Sequence, residues 1–549
     1  MALFPEPSRY PMRAPALRSV SWPRSVLLLA SGFWVVTFLI QIWRLESLSA
    51  TYDQALFLQE LWSTSQGRPF ESSLSSVLSG AVTSDGALPS VNYLHLGQHA
   101  NFLTLTVSPL VVLMGRWALP FVQVSALTAA GLLLWRIASR RLDSEVAFRI
   151  TVAYFLSGAV LGPAIENFHD LIWIPLLGFL VVEGLMERRQ WQVLLSAVFL
   201  LLVREDSGLV LFSLGLWALM RRPRERYWGV ALMLASLGWV LLITGWIQPA
   251  VDSSLADRFL AEKFGHLVED PSRGTVALML AMLREPLAVL QALVSPPGAT
   301  LGFVLALTLP LLFIPLLSLD ALLLVSAPLF VALVSQGRTA LAVTLRYVLA
   351  LVPGLYLGAV LWWQAHPLAW HQRQVRMVWT GAVTLGLVLT IVGNPHRSFS
   401  AVIPDSFVPW IHVPPKTMLH RREAALKAVA YVPDGASVSA DTPLLPLLAQ
   451  REELIRFPNS VQFKDRKGAV RSVDYVVTFP GYYTPLAPVF KHERRVQIKI
   501  RDQVQELLAK GDYKLIHCEA GALVLRRVPD RVPGQKTTSG IFSHCDALA

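Results

Sequence analysis

The chain has 549 residues, of which 54% are hydrophobic and only 15% charged; soluble domains carry about 25% charged residues, so a wholly water-solvated protein is excluded. The formal net charge of +11 fits basic loops held in the cytoplasm beside anionic lipid, and without a basic-aromatic module nucleic acid is excluded as a partner. The two cysteines, Cys518 and Cys545, form no CxxC or Cys/His ligand spacing, so neither a zinc site nor a disulfide framework is predicted.

A spanning helix needs about 20 mostly apolar residues. Residues 1–24 carry Arg9, Arg13, Arg18 and Arg24 and read as a cytoplasmic segment. The apolar run 25–43 is longer than a signal-peptide core and reads as an uncleaved first span. A long outer loop, 44–101, follows. Further spans are predicted near 120–138, 146–163, 171–186, 191–203, 207–220, 228–247, 299–317, 321–336, 341–363 and 376–393, giving about eleven. The apolar segment 102–117 contains Ser108 and Pro109 and reads as a re-entrant or interfacial helix. Counting it as a crossing would put Arg136, Arg140, Arg141 and Arg149 on the opposite side from the N-terminal arginines, against the positive-inside rule.

With an odd number of crossings, the loops 44–101, 164–170, 204–206 and 248–298 fall outside, as does everything from about 395 onward. Residues 395–530 read as a small extracytoplasmic α/β domain. "GASVSA" (435–440) and "VDYVVTF" (473–479) look like buried strands, "YKLIHCEA" and "ALVLRRV" like a closing pair, and "RRVQIKIRDQVQELLAKGDY" like an amphipathic helix. The polar stretch 531–549 reads as a disordered tail. The fold class is thus a polytopic α-helical membrane protein with a small C-terminal α/β domain.

Ionisable side chains near a bilayer are costly, so the places that keep them are candidate sites. Asp53 stands ten residues after the first span, in "TYDQALFLQELW", an amphipathic stretch suited to an interfacial helix; the alternative is a solvated N-cap aspartate. Glu60 and Glu71 nearby read as surface residues. His95 and His99, in "YLHLGQHANFL", have the i, i+4 spacing of a metal pair, but Gly97 weakens that helix, and hydrogen bonding or phosphate contact fits better. "ENFHDLIW" supplies Glu166, His169 and Asp170, either a site or a polar connecting loop. "VREDSG" places Arg204, Glu205 and Asp206 in a turn between two apolar helices, as a site or as an ion pair securing a hairpin. Arg346, near the outer end of a span, either snorkels to the interface or faces inward to neutralise a phosphate.

Together these residues form an inventory for displacing a polyprenyl phosphate from a sugar. A carboxylate takes the proton of an acceptor hydroxyl, and cationic groups, or a divalent metal held by acids, stabilise the departing phosphate. The metal is the one cofactor left open. The same side chains would suit a transporter or flippase of a lipid-linked or small polar substrate.

The segments "YDQALFLQELWSTSQGRPFESS", "HANFLTLTVSPL", "FHD" (168–170), "RED" (204–206) and "PDGASVSADTPLLPLLAQREELIRFP" with "DYVVTF" carry a resemblance spanning about residues 40–527. The chain resembles the bacterial membrane proteins of domain of unknown function 2079, which are similar to the C-fold glycosyltransferases. The resemblance implies a polyprenyl-phosphate-sugar donor, a catalytic role for Asp53 and site-lining roles for His99, His169, Glu205 and Asp206. The sequence departs from the family pattern in having Asp170 in place of a glutamate and Arg204 in place of a lysine. It also lacks an acid-x-acid pair in the first loop.

The expected function is therefore an inverting membrane glycosyltransferase at the outer face of the cytoplasmic membrane, with membrane lipid and a lipid-linked sugar as partners. Its topology is testable. A tag at the C-terminus is expected to be cleaved by protease added to cells whose cytoplasmic membrane is intact; protection until lysis would overturn the odd crossing number.

Overall fold

The structure, a computed structural model, describes residues 20–528 apart from 269–273, 338 and 340. Most of the expected cytoplasmic segment (residues 1–19), the expected tail at 531–549 and Cys545 lie outside the described residues.

Apolar runs fold into helices because a helix satisfies its own backbone polar groups without water. Four stretches are long and apolar enough to cross a membrane: Arg24–Glu46, Phe102–Ser139, Pro223–Leu255 and Arg373–Val392. Two bent pairs raise this to six: Ser144–Leu156 with Gly158–Ile165, at 42°, and Gly274–Arg284 with Pro286–Leu293, at 96°. The second pair lies in the stretch expected as an outer loop. The first bend falls at Ser157, whose backbone is extended; the second falls before Pro286, which cannot continue a helix.

Other expected spans are shorter helices: Ile174–Glu187, Gln190–Leu201, Ser207–Arg221, Pro297–Thr308 and Leu319–Val334. At 1.5 Å per residue they reach roughly 18–24 Å, less than a hydrocarbon core of about 30 Å. The stretch Phe102–Ser139 is instead too long, at 38 residues or about 57 Å. Its first part, expected to be re-entrant or interfacial, consists of Phe102–Leu105, Ser108–Met114 and a 3-10 turn, broken at Gly115, where φ is +56°.

The expected span 341–363 needs correction. Residues 341–345 are not helical; a 3-10 turn, Arg346–Ala350, leads into the helix Val352–Ala365. Pro353 sits at the start of that helix, where its missing N–H is harmless. The backbone N–H of Arg346 is drawn off to the Glu166 carboxylate at 2.9 Å.

The helices leave two polar ends. At one, Arg136 pairs with Glu183, Arg140 and Arg189 with Glu187, and Arg188 with Glu225. Arg149 also donates to the Arg376 carbonyl at this end. At the other end, the loops at 99–101, 164–170 and 204–206 meet the helix Tyr52–Ser65. The helix Gln248–Phe264 packs on the first loop there. Its kink at Asp252 accepts from Gly80 N at 3.1 Å and Tyr93 Oη at 2.8 Å.

The C-terminal strands, in chain order, are β1 (Ser406–Phe407), β2 (Trp410–Ile411), β3 (Val438–Ala440), β4 (Leu454–Arg456), β5 (Gln462–Lys464), β6 (Val470–Ser472), β7 (Tyr475–Thr478), β8 (Tyr513–Glu519) and β9 (Ala522–Arg527). Five form one sheet in the order β4-β3-β7-β9-β8, parallel from β4 to β7 and antiparallel beyond. Alternation sends Val476, Leu523 and Leu525 to a face packed with Ile500 and Val504 of the helix Lys491–Ala509. Val477, Ala522 and Val524 join the main core with Ala424, Ala425 and Ala428 of the helix Pro415–Ala430. Cys518 is disulfide-bonded. This corrects the expectation of no disulfide: the sequence around Cys518 carries no CxxC or other local cysteine spacing from which a bond could be read.

Helix Val352–Ala365 approaches Leu319–Val334 through Gly354 and Gly358, a small-xxx-small pair. A Cβ at Gly354 would overlap the Leu324 backbone, and one at Gly358 would overlap Ala321. Gly381 has open space around it. Gly358→Leu is expected to lower the Tm and the folded yield, at a cost above the roughly 1–3 kcal/mol of ordinary overpacking, while Gly381→Leu leaves both unchanged in a thermal-unfolding assay.

Candidate functional site

Asp53 stands in the first turn of the helix Tyr52–Ser65, whose N-cap is Thr51, so it is not the N-cap aspartate considered above. The loop 164–170 is sewn to this helix end. Thr51 N donates to Asn167 Oδ1 at 3.0 Å, Asn167 Nδ2 donates to the Thr51 hydroxyl, and Phe168 N donates to Gln54 Oε1 at 2.8 Å. From the first span, Gln41 donates to the Ala164 carbonyl at 2.8 Å and Arg44 to the Ile165 carbonyl at 2.7 Å. Gln123 donates to the Pro163 carbonyl at 2.6 Å. These amide and guanidinium donors occupy the carbonyls at the end of the helix Gly158–Ile165 and aim Glu166 and His169.

The loop and helix meet at Arg346. Its Nη1 lies 2.7 Å from Asp53 Oδ2 and 3.1 Å from Glu166 Oε1. Burial pushes the Asp53 pKa up most strongly of any one influence, but Arg346, through its charge and its hydrogen bond, together with His169 and Arg456 outweighs it and holds the group below its usual range. For Glu166 burial wins, raising it in spite of the same arginine. Asp53 keeps 31% of its side chain exposed and Glu166 only 4%. Of the pair, Asp53 is the more accessible carboxylate.

A second ion cluster lies alongside. Arg204, buried, forks onto Asp206, with Nε 2.7 Å from Oδ1, and lies 3.7 Å from Asp170. Asp170 also contacts His169 Nδ1. Burial, with Arg346 and Arg204 nearby, holds the His169 pKa well below the usual histidine range, so the ring is neutral at neutral pH. Glu205 turns the other way: it meets His99 Nδ1 at 2.9 Å and accepts from Ala100 N at 3.0 Å.

Tyr347 joins the two clusters. The Arg346 and Arg204 guanidinium carbons lie 5.4 and 6.0 Å from its ring centre, Lys263 Nζ 6.0 Å, and the His169 ring 6.4 Å. Tyr347 lines a cleft of about 720 Å³. The lining of the cleft combines the polar Arg204, Asp206, Lys263 and Gln336 with the apolar Leu171, Ile174, Leu209, Val331 and Ala350. Asp53 does not line this cleft; it pairs with Arg346, whose chain neighbour Tyr347 does.

The candidate residues thus divide. Asp53, Glu166, His169, Asp170, Arg204, Asp206 and Arg346 come together. Glu205 and His99 border them, with the His99 and His169 rings 6.3 Å apart. His95 lies one ring further out on a 3-10 turn, its ring 5.8 Å from that of His99 and its Nδ1 2.9 Å from the Ser75 hydroxyl, and burial lowers its pKa to about 3. Among the described residues no group of three or more His, Cys, Asp or Glu side chains converges on a common metal position. Glu60 is buried under Asn101, its pKa raised to about 8 by burial, and Glu71 pairs with Arg68 and Arg466 away from the cleft. Lys263 and Tyr347 were not predicted. Tyr347 adjoins Arg346 and was within reach of the sequence reading, whereas Lys263 arrives on the helix Gln248–Phe264 by tertiary packing alone.

Removing Arg346 strands a buried carboxylate. Arg346→Ala is expected to destabilise the protein by about 3–5 kcal/mol, and the double variant Arg346→Ala/Glu166→Gln to recover part of that loss. Denaturation of the purified full chain measures both.

The family described as Predicted membrane protein (DUF2079) matches residues 44–524. No curated protein sequence matches the chain. Among solved structures, the chain is similar to ArnT from Cupriavidus metallidurans bound to undecaprenyl phosphate, with 11% identity and a TM-score of 0.48 over 93% of this chain and 99% of that one. The apo state of the same protein matches at 11% identity and a TM-score of 0.44 over 92% and 100%. The archaeal oligosaccharyltransferase AglB from Archaeoglobus fulgidus, in complex with an inhibitory peptide and a dolichol-phosphate, matches at 12% identity and a TM-score of 0.40 over 94% and 76%. With the match running through nearly the whole described chain, the protein belongs to the DUF2079 family of predicted membrane proteins.

Proposed function

We propose that the protein is a polytopic membrane glycosyltransferase that moves a sugar from a polyprenyl-phosphate donor to an acceptor hydroxyl at the outer face of the cytoplasmic membrane. The observation that carries this reading is the amphipathic cleft. Its lining sets Arg204 and Lys263 beside the apolar Leu171, Ile174, Leu209 and Val331, the combination expected of a site for a lipid tail joined to a phosphate. The disulfide at Cys518 supports an oxidising, extracytoplasmic setting for residues 395–530.

In the proposed reaction Asp53 accepts the proton of the acceptor hydroxyl as that oxygen bonds to the anomeric carbon. The bond from that carbon to the phosphate oxygen breaks, and the electron pair leaves with the polyprenyl phosphate. Arg204 and Lys263 stabilise its charge. Arg346 keeps Asp53 ionised until substrate arrives, and Glu166 anchors Arg346. Asp170 and Asp206 hold Arg204 in place, and the neutral His169 ring contacts Asp170. Attack opposite the leaving phosphate inverts the anomeric centre.

The test is transfer by the reconstituted full chain supplied with radiolabelled polyprenyl-phosphate sugars. Asp53→Asn is expected to lower turnover by about 10²–10⁴-fold, the usual contribution of a positioned base; unaltered transfer would remove Asp53 from the mechanism. Since Arg346 lowers the Asp53 pKa, wild-type activity is expected to persist below the ordinary aspartate value of about 3.9. Arg346→Gln moves that acid limb to higher pH. Passage of the intact donor across vesicles without transfer would instead support the transporter.

A further inference from the structure

The end of the molecule opposite the cleft holds a second charged site that the transfer reaction does not use. Arg149 lies 17 residues before Glu166 along the bent pair Ser144–Leu156 and Gly158–Ile165, so it sits roughly 25 Å away at 1.5 Å per residue. Arg373 and Arg376 open the helix Arg373–Val392, whose far end leads to Ser398, hydrogen-bonded to the Ile165 carbonyl beside the cleft cluster. Arg149, Arg373, Arg376, Met377 and Thr380 line an open cavity of about 710 Å³ with no carboxylate in its wall.

Two of the three guanidiniums are held in place. Arg149 Nη1 donates to the Thr380 hydroxyl at 2.6 Å and to the Arg376 carbonyl at 3.3 Å. Arg376 Nη1 donates to the Trp370 and His371 carbonyls at 3.2 and 3.3 Å. Both lie over the Trp370 ring, at 5.1 and 5.7 Å. The acid nearest Arg149 is Glu145, 3.6 Å away and 56% exposed. Arg373 is exposed and has no ion-pair partner among the described residues. The helix it opens has no side-chain cap, so its first backbone N–H groups also face outward.

From this cavity an exposed apolar face runs along the helix through Met377, Val378, Leu385, Val388 and Leu389. An anion seated on the arginines therefore continues into hydrocarbon, the shape of a phospholipid and not of a soluble ion. The aromatic ring beneath the arginines suits the headgroup level of a bilayer.

We propose that Arg149, Arg373 and Arg376 bind the phosphate of an anionic phospholipid in the leaflet opposite the cleft, with its acyl chains along the Met377–Leu389 face. Charge complementarity selects an anionic headgroup over a zwitterionic one, since each arginine near the surface contributes roughly fivefold.

The experiment is native mass spectrometry of the full chain titrated separately with phosphatidylglycerol and phosphatidylcholine, with inorganic phosphate as competitor. The wild type is expected to retain one tightly held phosphatidylglycerol that phosphatidylcholine and millimolar phosphate do not displace. The triple variant Arg149→Gln/Arg373→Gln/Arg376→Gln loses that lipid. Because Arg149 and Arg376 also hold backbone carbonyls, Arg373→Gln, which breaks no ion pair, is the second reading; it is expected to weaken retention about fivefold with an unchanged Tm. Equal retention by Arg373→Gln, or displacement by inorganic phosphate, would overturn the proposal.

Discussion

Arg346 sits between two carboxylates, 2.7 Å from Asp53 and 3.1 Å from Glu166, and its backbone N–H is given to the second of them. This triad ties together three parts of the chain: the helix Tyr52–Ser65, the loop 164–170 and the turn before the helix Val352–Ala365. A buried carboxylate without its cation would be costly, so the three parts hold one another in position. Tyr347 then stands where the Asp53 pair and the Arg204 cluster meet.

The rest of the architecture is arranged around that junction. Gln41, Arg44 and Gln123 reach from spanning helices to the carbonyls at the end of Gly158–Ile165, where a helix terminus leaves acceptors unpaired. The C-terminal unit packs on the helix Tyr52–Ser65 as well. Gln59 donates to the Arg451 carbonyl at 2.9 Å, and the Arg456 guanidinium lies 4.5 Å from the Tyr52 ring centre. The position of Asp53 is thus set by both membrane and sheet regions.

Charge is sorted between the two ends for different physical reasons. Around Arg346 and Arg204 each arginine meets at least two carboxylates, giving an internally paired, largely buried network beside the cleft. Around Arg149, Arg373 and Arg376 the arginines outnumber the acids and face outward. The first arrangement suits the proposed transfer, in which charge redistributes at the site. The second suits permanent attraction to an anionic surface.

Composition and apolar periodicity by themselves determined that the chain lives in a membrane, where most of its helices fall and that a strand-containing unit follows residue 395, because each of these depends on local runs of side chains. They also pointed to Asp53, Glu166, His169, Asp170, Arg204, Asp206 and Arg346, since charge in so apolar a chain is conspicuous. Tertiary structure alone decided which of them meet. His95 and His99 stand four apart in sequence, yet one faces Ser75 and the other Glu205, whereas Asp53 and Arg346, 293 residues apart, share a hydrogen bond. It also brought Lys263 to the cleft, shortened several helices below a full crossing and started the helix at Val352 instead of 341. Ion pairing and close packing act through space, and spacing along the chain carries no record of them.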